Sequence, residues 1–369
     1  MSDIDSSGDF AEFETLHELA KAAKQNLSIQ TWDYLMGGAD TETTLKRNRL
    51  ALDMVGFRPR VLRDVEHIDC GATVIGQKLN LPIILAPIGS LQDFIPDGGA
   101  APTQAAADFG VLHMLSSRSE PGLEAVAEAA PGHPKIFQLY VRGDADWVDD
   151  HIERAIKAGY VAFAFTVDLD YYGRRERDLT KRYRTTSRRT ASAIEWQYRF
   201  NWDDVKRIKD KFDIPLILKG IATAEDAALC MEHGIDGVYV SNHGGRQLDH
   251  GRGGLETLPE VVKEVAGRAE VYIDGGFMRG TDVVKAIAMG ANAVGLGRLQ
   301  GLALGAKGRE GVVRMLELLQ TEIKICLGLL GVNSLAELDE SYLHAVQPVE
   351  TPGPLSAFPL LFEDYLNES

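Results

Sequence analysis

Short apolar runs recur along the chain, and each is followed by a stretch with the periodicity of an amphipathic helix. Runs rich in Val, Ile, Leu and Phe begin near residues 82, 111, 136, 161, 215, 237, 271 and 293. Strands that alternate with helices form a parallel sheet, and eight such units close into a barrel. A doubly wound open sheet would carry a glycine fingerprint after its first strand, which Ala86-Pro87-Ile88-Gly89 lacks. The pattern therefore predicts an α/β fold, a (β/α)8 TIM barrel over about residues 81–328.

Three kinds of segment lie outside this repeat. Helical segments near Phe10 to Gln25 and Ile29 to Gly37 precede the barrel, and we expect them to cap its bottom or edge. The long interval after the fourth strand contains a polar stretch, residues 171–202, which predicts a lid or surface excursion. Its basic run fits either a solvated loop or contact with an anionic partner. An apolar tail, residues 348–369, is expected to dock on this or a neighbouring subunit, within one domain of 369 residues.

Composition narrows the class of protein. A net charge of -15 argues against nucleic-acid binding, and 45% hydrophobic with 25% charged residues is typical of a folded globular chain. Three widely spaced cysteines form no CxxC pair, so we expect neither disulfides nor a metal site, and a reducing compartment. No run approaches the roughly 20 apolar residues that span a bilayer, and the N-terminus is acidic and polar. We therefore expect a cytoplasmic protein without membrane insertion.

The C-terminal ends of barrel strands carry the chemistry of barrel enzymes. Here almost every predicted strand end is polar or glycine, although each polar group there must be satisfied if it is buried. These positions are Pro87, Ile88, Gly89, Ser116, Ser117, Gln138, Tyr140, Thr166, Asp168, Lys219, Ser241, His243, Asp274, Gly275, Gly276, Gly297 and Arg298.

The last two strands end in glycine turns that expose backbone N–H groups beside an arginine. Because barrels often bind phosphate after strands seven and eight, Asp274-Gly275-Gly276 and Gly295-Leu296-Gly297-Arg298 predict a phosphate cradle, with simple tight turns as the alternative. The remaining rim offers an amide, hydroxyls and a cation that suit a flat heterocycle, from Ser116, Gln138, Thr166 and Lys219. Flavin mononucleotide (FMN) fits both ends.

The segment from Ser241 to Asp249 pairs an imidazole with a guanidinium beside two glycines. We interpret His243 as a general base and Arg246 as a fork that holds a carboxylate. Asp168 would orient the imidazole, unless it only pairs with a nearby arginine.

Several motifs resemble the FMN-dependent 2-hydroxy acid oxidase and dehydrogenase family, and the similarity covers nearly the whole chain. The most specific is Ser-Asn-His-Gly-Gly-Arg-Gln at residues 241–247. The others are Tyr34 in Asp-Tyr-Leu-Met-Gly-Gly-Ala, Phe57-Arg58-Pro59-Arg60, Leu115-Ser116-Ser117, Phe137-Gln138-Leu139-Tyr140, Thr166-Val167-Asp168, Gly173-Arg174-Arg175, Leu218-Lys219-Gly220, Asp274 to Arg279 and Gly297-Arg298.

The resemblance implies roles for these residues. Tyr34, Arg175 and Arg246 would hold the substrate carboxylate, and Tyr140 would bond the 2-hydroxyl. His243, oriented by Asp168, would remove a proton as two electrons pass from substrate C2 to flavin N5, as a carbanion or a hydride. Lys219 would stabilise the reduced flavin. The other FMN contacts would be Pro87, Ile88, Gly89, Ser116, Gln138, Thr166, Ser241, Asp274, Gly275, Gly276, Arg279, Gly297 and Arg298.

The implied reaction is oxidation of an L-2-hydroxy acid to the 2-oxo acid by a homotetramer, with oxygen or another molecule as electron acceptor. Three alternatives stay open: oxidative decarboxylation of the lactate monooxygenase type, an FMN-dependent isomerase, and an inactive flavin-binding barrel.

Four positions depart from the family pattern. Met278 replaces an arginine expected to contact phosphate, and Gly89 gives a Pro-Ile-Gly loop that resembles lactate monooxygenase. Arg118 and Tyr172 stand where glycolate oxidase has tryptophan and leucine. Arg118 could bind a polar or anionic group on the far end of the substrate, or it could face solvent or pair with Glu120.

Overall fold

The computed structural model describes residues 11–362, and twelve strands form within this part of the chain. They are β1 Val55–Phe57, β2 Ala72–Val74, β3 Gln77–Leu79, β4 Ile83–Leu85, β5 Leu112–Ser116, β6 Lys135–Leu139, β7 Ala162–Thr166, β8 Leu216–Ile221, β9 Gly237–Val240, β10 Glu270–Ile273, β11 Ala293–Leu296 and β12 Leu343–Ala345.

Fourteen α-helices lie among the described residues, with short 3-10 helices at Leu91–Asp93, Leu335–Glu337, Glu340–Tyr342 and Pro359–Phe362. The helices are α1 Leu16–Asn26, α2 Ile29–Met36, α3 Thr43–Asp53, α4 Ala100–Phe109, α5 Leu123–Ala129, α6 Ala145–Lys157, α7 Glu176–Thr180, α8 Thr186–Arg189, α9 Glu195–Arg199, α10 Trp202–Lys211, α11 Ala224–Glu232, α12 Gly254–Val265, α13 Gly280–Ala288 and α14 Arg298–Leu330. No helix in residues 11–362 is long and apolar enough to cross a membrane.

Strands β4 to β11 close into one parallel barrel, in which β11 pairs with β4 and β10 lies between β9 and β11. Each of these strands begins within one residue of its predicted start. Their residues are almost all buried, as expected for parallel strands covered on both faces. The predicted TIM barrel is therefore confirmed.

The barrel interior holds a second apolar cluster in which two tyrosines meet. The Tyr239 and Tyr272 rings pack edge to face, with centroids 5.9 Å apart. Gly295 makes room for Tyr239, because a Cβ there would lie 1.6 Å from the tyrosine hydroxyl. This glycine therefore serves packing in addition to any turn function.

The hairpin β2–β3 covers the N-terminal end of the barrel. Its residues Val74 and Leu79 belong to the interior cluster, and the Ile75 amide donates to Glu270 at the start of β10, with an N to Oε1 distance of 2.9 Å. Of the two predicted positions for the N-terminal helices, the bottom and the edge of the barrel, the bottom is therefore occupied by this hairpin. A three-residue strand gives too little pattern for the hairpin to have been predicted.

The N-terminal helices lie at the side and at the C-terminal rim of the barrel. Helix α1 packs along α14, whereas α2 contacts α7 and brings Tyr34 to the rim. Helix α1 begins at Leu16, later than the predicted start near residue 10, because Thr15 and Glu18 form a capping box. Residue 10 itself lies outside the described residues.

The polar excursion at 171–202 is folded and fastened to the rim. It contains the short helices α7, α8 and α9 and leads into α10. Gln197 accepts from the Val141 amide at 2.9 Å and donates to the Thr166 carbonyl at 3.1 Å. Arg177 pairs with Glu42 at 2.7 Å, and Lys181 pairs with Asp33. Much of its positive charge is therefore paired within the chain.

The C-terminal tail docks on this chain as far as it is described. Phe358 is fully buried and packs edge to face on His17, with ring centroids 5.6 Å apart. Phe362 is exposed. Residues 363–369 of the predicted tail lie outside the described residues.

Candidate active site

A cleft opens at the C-terminal ends of the barrel strands, between the rim and the excursion. It brings together most of the strand-end residues that the sequence singled out. Its walls are formed by Tyr34, Leu35, Ala86, Pro87, Ile88, Gly89, Arg118, Tyr140, Leu169, Tyr172, Arg175, Thr185, Ser187, Arg188, Lys219, His243, Gly244, Arg246, Asp274, Gly275, Gly276, Phe277, Met278, Gly295, Gly297 and Arg298.

His243 and Asp168 form a partly buried pair at the ends of β9 and β7. The His243 Nδ1 lies 2.8 Å from Asp168 Oδ1, which leaves Nε2 for another partner. His243 has φ +59, and the next two glycines also have positive φ, so the loop turns sharply inward. Burial lowers the pKa of His243 below 6.5, against the opposing effect of Asp168. Burial acts to raise the pKa of Asp168, but His243 and Lys219 keep it below its usual value.

Tyr34 and Arg246 meet beside this pair. The Arg246 guanidinium carbon lies 4.8 Å from the Tyr34 ring centroid, and Nη1 donates to the Tyr34 and Gly37 carbonyls at 2.6 and 2.9 Å. Burial lowers the pKa of Arg246 to about 9. The Tyr34 hydroxyl donates to the Gly89 carbonyl at 3.0 Å. A partly buried guanidinium without a carboxylate in hydrogen-bond contact is suited to an anionic ligand.

Arg175 and Tyr140 complete this part of the cleft. Arg175 is buried and its Nε has no hydrogen-bond partner among the described residues. The Tyr140 ring lies 6.5 Å from the His243 ring between centroids. Burial raises the pKa of Tyr140, so its hydroxyl stays protonated as a donor.

Lys219 belongs to a buried network under the cleft. Its Nζ lies 3.0 Å from Asp274 Oδ2 and donates to Ser241 Oγ at 2.9 Å. Ser241 Oγ in turn donates to Asp274 Oδ1 at 2.6 Å. The network fixes the ammonium at the end of β8 with its charge balanced by one carboxylate.

The neighbouring strand ends carry buried polar groups without protein partners. Neither amide atom of Gln138 has a hydrogen bond among residues 11–362, and the Thr166 hydroxyl is likewise unpaired. Ser116 differs, since its Oγ accepts from the Arg118 amide at 3.2 Å. Buried polar groups are normally satisfied, so these residues fit the polar edge of a flat heterocycle such as the flavin ring of FMN.

The opposite end of the cleft fits a phosphate less fully than predicted. Arg298 is partly buried beside Gly297, where a Cβ would meet nothing within 4 Å. Its guanidinium donates to the Gly244 and Gly37 carbonyls at 2.9 and 2.8 Å, and Nε is unpaired. Burial lowers the pKa of Arg298 to about 10.

Arg279, a predicted FMN contact, lies outside the cleft. Its guanidinium pairs with Glu322 of α14 at 2.5 Å. The apolar Met278 lines the cleft instead. Gly275 and Gly276 do line the cleft, with φ +102 and +87, but they also allow close packing on Asn48 of α3.

Arg118 lines the cleft, so it does not simply face bulk solvent. It does not pair with Glu120 either. Its Nη2 donates to the Ser187 carbonyl of α8, and Thr190 Oγ1 lies 3.4 Å away. Tyr172 lines the same wall.

Sequence reasoning missed the contribution of the excursion to the cleft. Thr185, Ser187 and Arg188 line it, although they lie far from any strand end. The basic run was the only signal for Arg188, and it was compatible with a solvated loop.

Comparison with known proteins agrees with this geometry. The family model for FMN-dependent dehydrogenases matches residues 23–345. The chain is 39% identical to glycolate oxidase 1 of Oryza sativa subsp. indica over 90% of this chain and 96% of the relative. It is 38% identical to the L-lactate oxidase of Nostoc sp. over 89% and 97% of the two chains.

A crystal structure of mandelate oxidase superposes with a TM-score of 0.85 at 37% identity and covers 92% of this chain and all of the other. The unpaired polar groups at the ends of β6 and β7, the partly buried Arg298 and the His243–Asp168 pair all lie within the residues that this family model matches. The chain belongs to the FMN-dependent dehydrogenase family.

Proposed function

We propose that this protein oxidises an L-2-hydroxy acid to the corresponding 2-oxo acid. The observation that carries the proposal is the pairing of His243 with Asp168 at 2.8 Å. Beside this pair, the Arg246 guanidinium donates to backbone carbonyls and has no carboxylate partner among the described residues. FMN supplies the two-electron acceptor when it is bound. The relatives named glycolate oxidase and L-lactate oxidase support this reaction class.

The residues of the cleft divide the work by position. Arg246, Arg175 and Tyr34 bind the substrate carboxylate, and the protonated Tyr140 hydroxyl bonds the 2-hydroxyl group. His243 Nε2, which is free of Asp168, accepts a proton from the substrate, from the 2-hydroxyl in a hydride route or from C2 in a carbanion route. Asp168 stabilises the imidazolium that results.

Other residues of the rim would hold the cofactor. Gln138, Thr166 and Ser116 would bind the polar edge of the FMN ring, and Lys219 would place a positive charge where the reduced ring gains negative charge. Pro87, Ile88, Gly89 and Ser241 would also hold the ring. Arg298 would hold the phosphate end, together with Asp274, Gly275, Gly276 and Gly297.

An anaerobic reduction experiment tests this function. Purified holoprotein is mixed with lactate, mandelate and a 2-hydroxy diacid, and the flavin absorbance is followed. We expect at least one acid to bleach the flavin, and His243→Gln to slow the bleaching by about 100-fold or more, since a general base contributes 100- to 10,000-fold. A flavin that no acid reduces would support the isomerase or inactive-barrel alternatives.

Gly89 favours a second candidate, oxidative decarboxylation of the lactate monooxygenase type. A Cβ at this position would lie 3.3 Å from the Arg118 Cβ and 3.7 Å from Ser187 Oγ, so the glycine keeps this wall open. Carbon dioxide released under oxygen would identify this reaction, whereas hydrogen peroxide would identify an oxidase. If neither product appears although the flavin is reduced, the acceptor is another molecule.

We also propose a cytoplasmic homotetramer. Large apolar side chains stay exposed in the single chain, among them Leu62, Ile325 and Leu329, and such side chains are suited to subunit contacts. The three cysteines are buried and unpaired, as a reducing compartment allows. Sedimentation of the holoprotein measures the oligomeric state, and localisation of a tagged protein in its own cell tests the compartment.

A further inference from the structure

Three arginines surround Tyr172 on the wall of the cleft nearest the excursion. The guanidinium carbons of Arg188 and Arg175 lie 5.0 and 5.8 Å from the Tyr172 ring centroid. Arg118 lines the same wall. Burial lowers the pKa of Arg118, and the nearby Tyr172 hydroxyl acts in the opposite direction. Two of the three, Arg118 and Arg188, are called the distal arginines, since Arg175 already serves the proposed carboxylate site.

The charges in the cleft do not balance around a substrate with one carboxylate. Lys219 is balanced by Asp274 at 3.0 Å, and Arg188 has Asp178 at 3.6 Å. Among residues 11–362, no carboxylate lies within 4 Å of the guanidinium of Arg118. A substrate with one carboxylate would place it between Arg246 and Arg175, and the FMN phosphate would lie at Arg298. The positive charge of Arg118 would then have no anion.

The contacts of Arg118 leave donors free. Only its Nη2 is engaged, by the neutral Ser187 carbonyl and by Thr190 Oγ1. A guanidinium presents five N–H donors in a fork that matches a carboxylate. Half-burial in the cleft lowers the pKa of Arg118 because charge is costly there, and an anion would offset that cost.

We propose that the substrate is a 2-hydroxy acid with a second carboxylate, bound by Arg118 with Arg188 as an auxiliary cation. The inference rests on the proposed function and adds the substrate class. The first carboxylate and the reacting carbon lie at Arg246 and His243, and the chain of the substrate extends past Tyr140 and Tyr172 to the distal arginines.

Matched pairs of substrates test the proposal. L-2-Hydroxysuccinate is compared with L-2-hydroxybutanoate, and L-2-hydroxyglutarate with L-2-hydroxypentanoate, so that chain length is constant and only the second charge changes. The ratio of kcat/KM for diacid over monoacid is measured by flavin reduction in native holoprotein and in Arg118→Gln. We expect a ratio above about 10 in the native protein, and a loss of about 10-fold or more in the variant, as for a charge-assisted hydrogen bond.

Arg174→Gln is the control, because Arg174 is exposed on the same excursion and pairs only with Glu176 at 3.8 Å. It should leave the ratio unchanged. If Arg118 only fastens the excursion, Arg118→Gln slows diacid and monoacid equally, and this outcome overturns the proposal. A native ratio near or below 1 also overturns it.

A binding measurement covers the case in which the variant does not turn over. The Kd of the matching 2-oxo diacid and 2-oxo monoacid for the oxidised holoprotein is read from the flavin spectrum. Arg118→Gln should weaken only the diacid, and equal weakening of both overturns the proposal. If no acid of any kind reduces the native flavin, the proposed function fails, whereas reduction by monoacids alone contradicts only the substrate class.

Discussion

At the scale of single residues, the His243–Asp168 pair sets the acid side of the pH profile. The neutral imidazole is the form that accepts a proton, so kcat/KM should rise with pH through the pKa of His243 and level off above it. Because burial lowers that pKa below 6.5, the rise should lie below pH 6.5. A profile that is still rising well above this pH would contradict the assignment.

Asp168→Asn extends the same argument. Asp168 raises the pKa of His243, so its loss should move the acid limb to lower pH, although burial continues to disfavour the charged imidazole. The rate of flavin reduction should fall by about 100-fold or more, because the imidazolium is no longer stabilised. Stopped-flow reduction across pH measures both effects, and a purely structural role would lower the rate without moving the limb.

The sequence could predict that the strand-end residues come together, because the barrel forces those ends to converge wherever the helices lie. His243 and Lys219 reach the cleft for this reason, Arg246 reaches it from the loop after β9, and Asp168 contacts His243 from the end of β7. The sequence did not reveal that Arg279 lies outside the cleft, because it is the N-cap of α13, where position in sequence does not decide which way a long side chain turns. Its direction is set by Glu322, which no local pattern links to it.

At the scale of elements, helix α8 of the excursion is held by one carboxylate, Asp93. Asp93 accepts from the Thr186 amide at 2.8 Å and from the Thr186 and Tyr183 hydroxyls at 2.5 and 3.2 Å. These bonds hold α8, and with it Ser187 and Arg188, over the cleft.

Asp93→Ala should therefore loosen the excursion. Hydrogen bonds to a charged group contribute about 1.5–3 kcal/mol, so proteolytic cleavage between residues 181 and 190 should accelerate by about 10-fold or more. KM for the substrate should rise with it. Glu195→Ala removes an exposed carboxylate of the same excursion and is the control. Equal cleavage of the two variants would show that Asp93 is dispensable.

The elements also show where sequence patterns end. The eight barrel strands were predictable because each is a continuous buried run, whereas helices of four or five residues such as α7 and α8 are too short to show a period. The sequence therefore predicted where the excursion lies but not the helices within it. Its contribution to the cleft depends on tertiary hydrogen bonds such as those of Gln197.

At the scale of the whole molecule, FMN should contribute to stability as well as to chemistry. A ligand that binds only the native state at 100 times its Kd adds about 2.7 kcal/mol. Removal of FMN should therefore lower Tm, and added FMN should restore it in a concentration-dependent way. Thermal unfolding of apoprotein and holoprotein measures the difference, and equal Tm values would contradict it.

Gln138→Leu localises this effect. Because the amide has no protein partner, the apoprotein should not be destabilised, but the gain in Tm from FMN should shrink. Gln300→Leu is the matched control, since Gln300 is also buried with both amide atoms unpaired but lies on α14 and is not a proposed FMN contact. An undiminished gain in the Gln138 variant would place the flavin ring elsewhere.

The hairpin at the N-terminal end of the barrel has a kinetic consequence. Since β2 and β3 close that end, substrate and product reach and leave His243 through the cleft at the rim. The hydroxy acid enters and the oxo acid leaves through the same opening, which lies beneath the excursion. Product that stays bound there blocks both the next substrate and the electron acceptor, so we expect the 2-oxo acid to inhibit turnover.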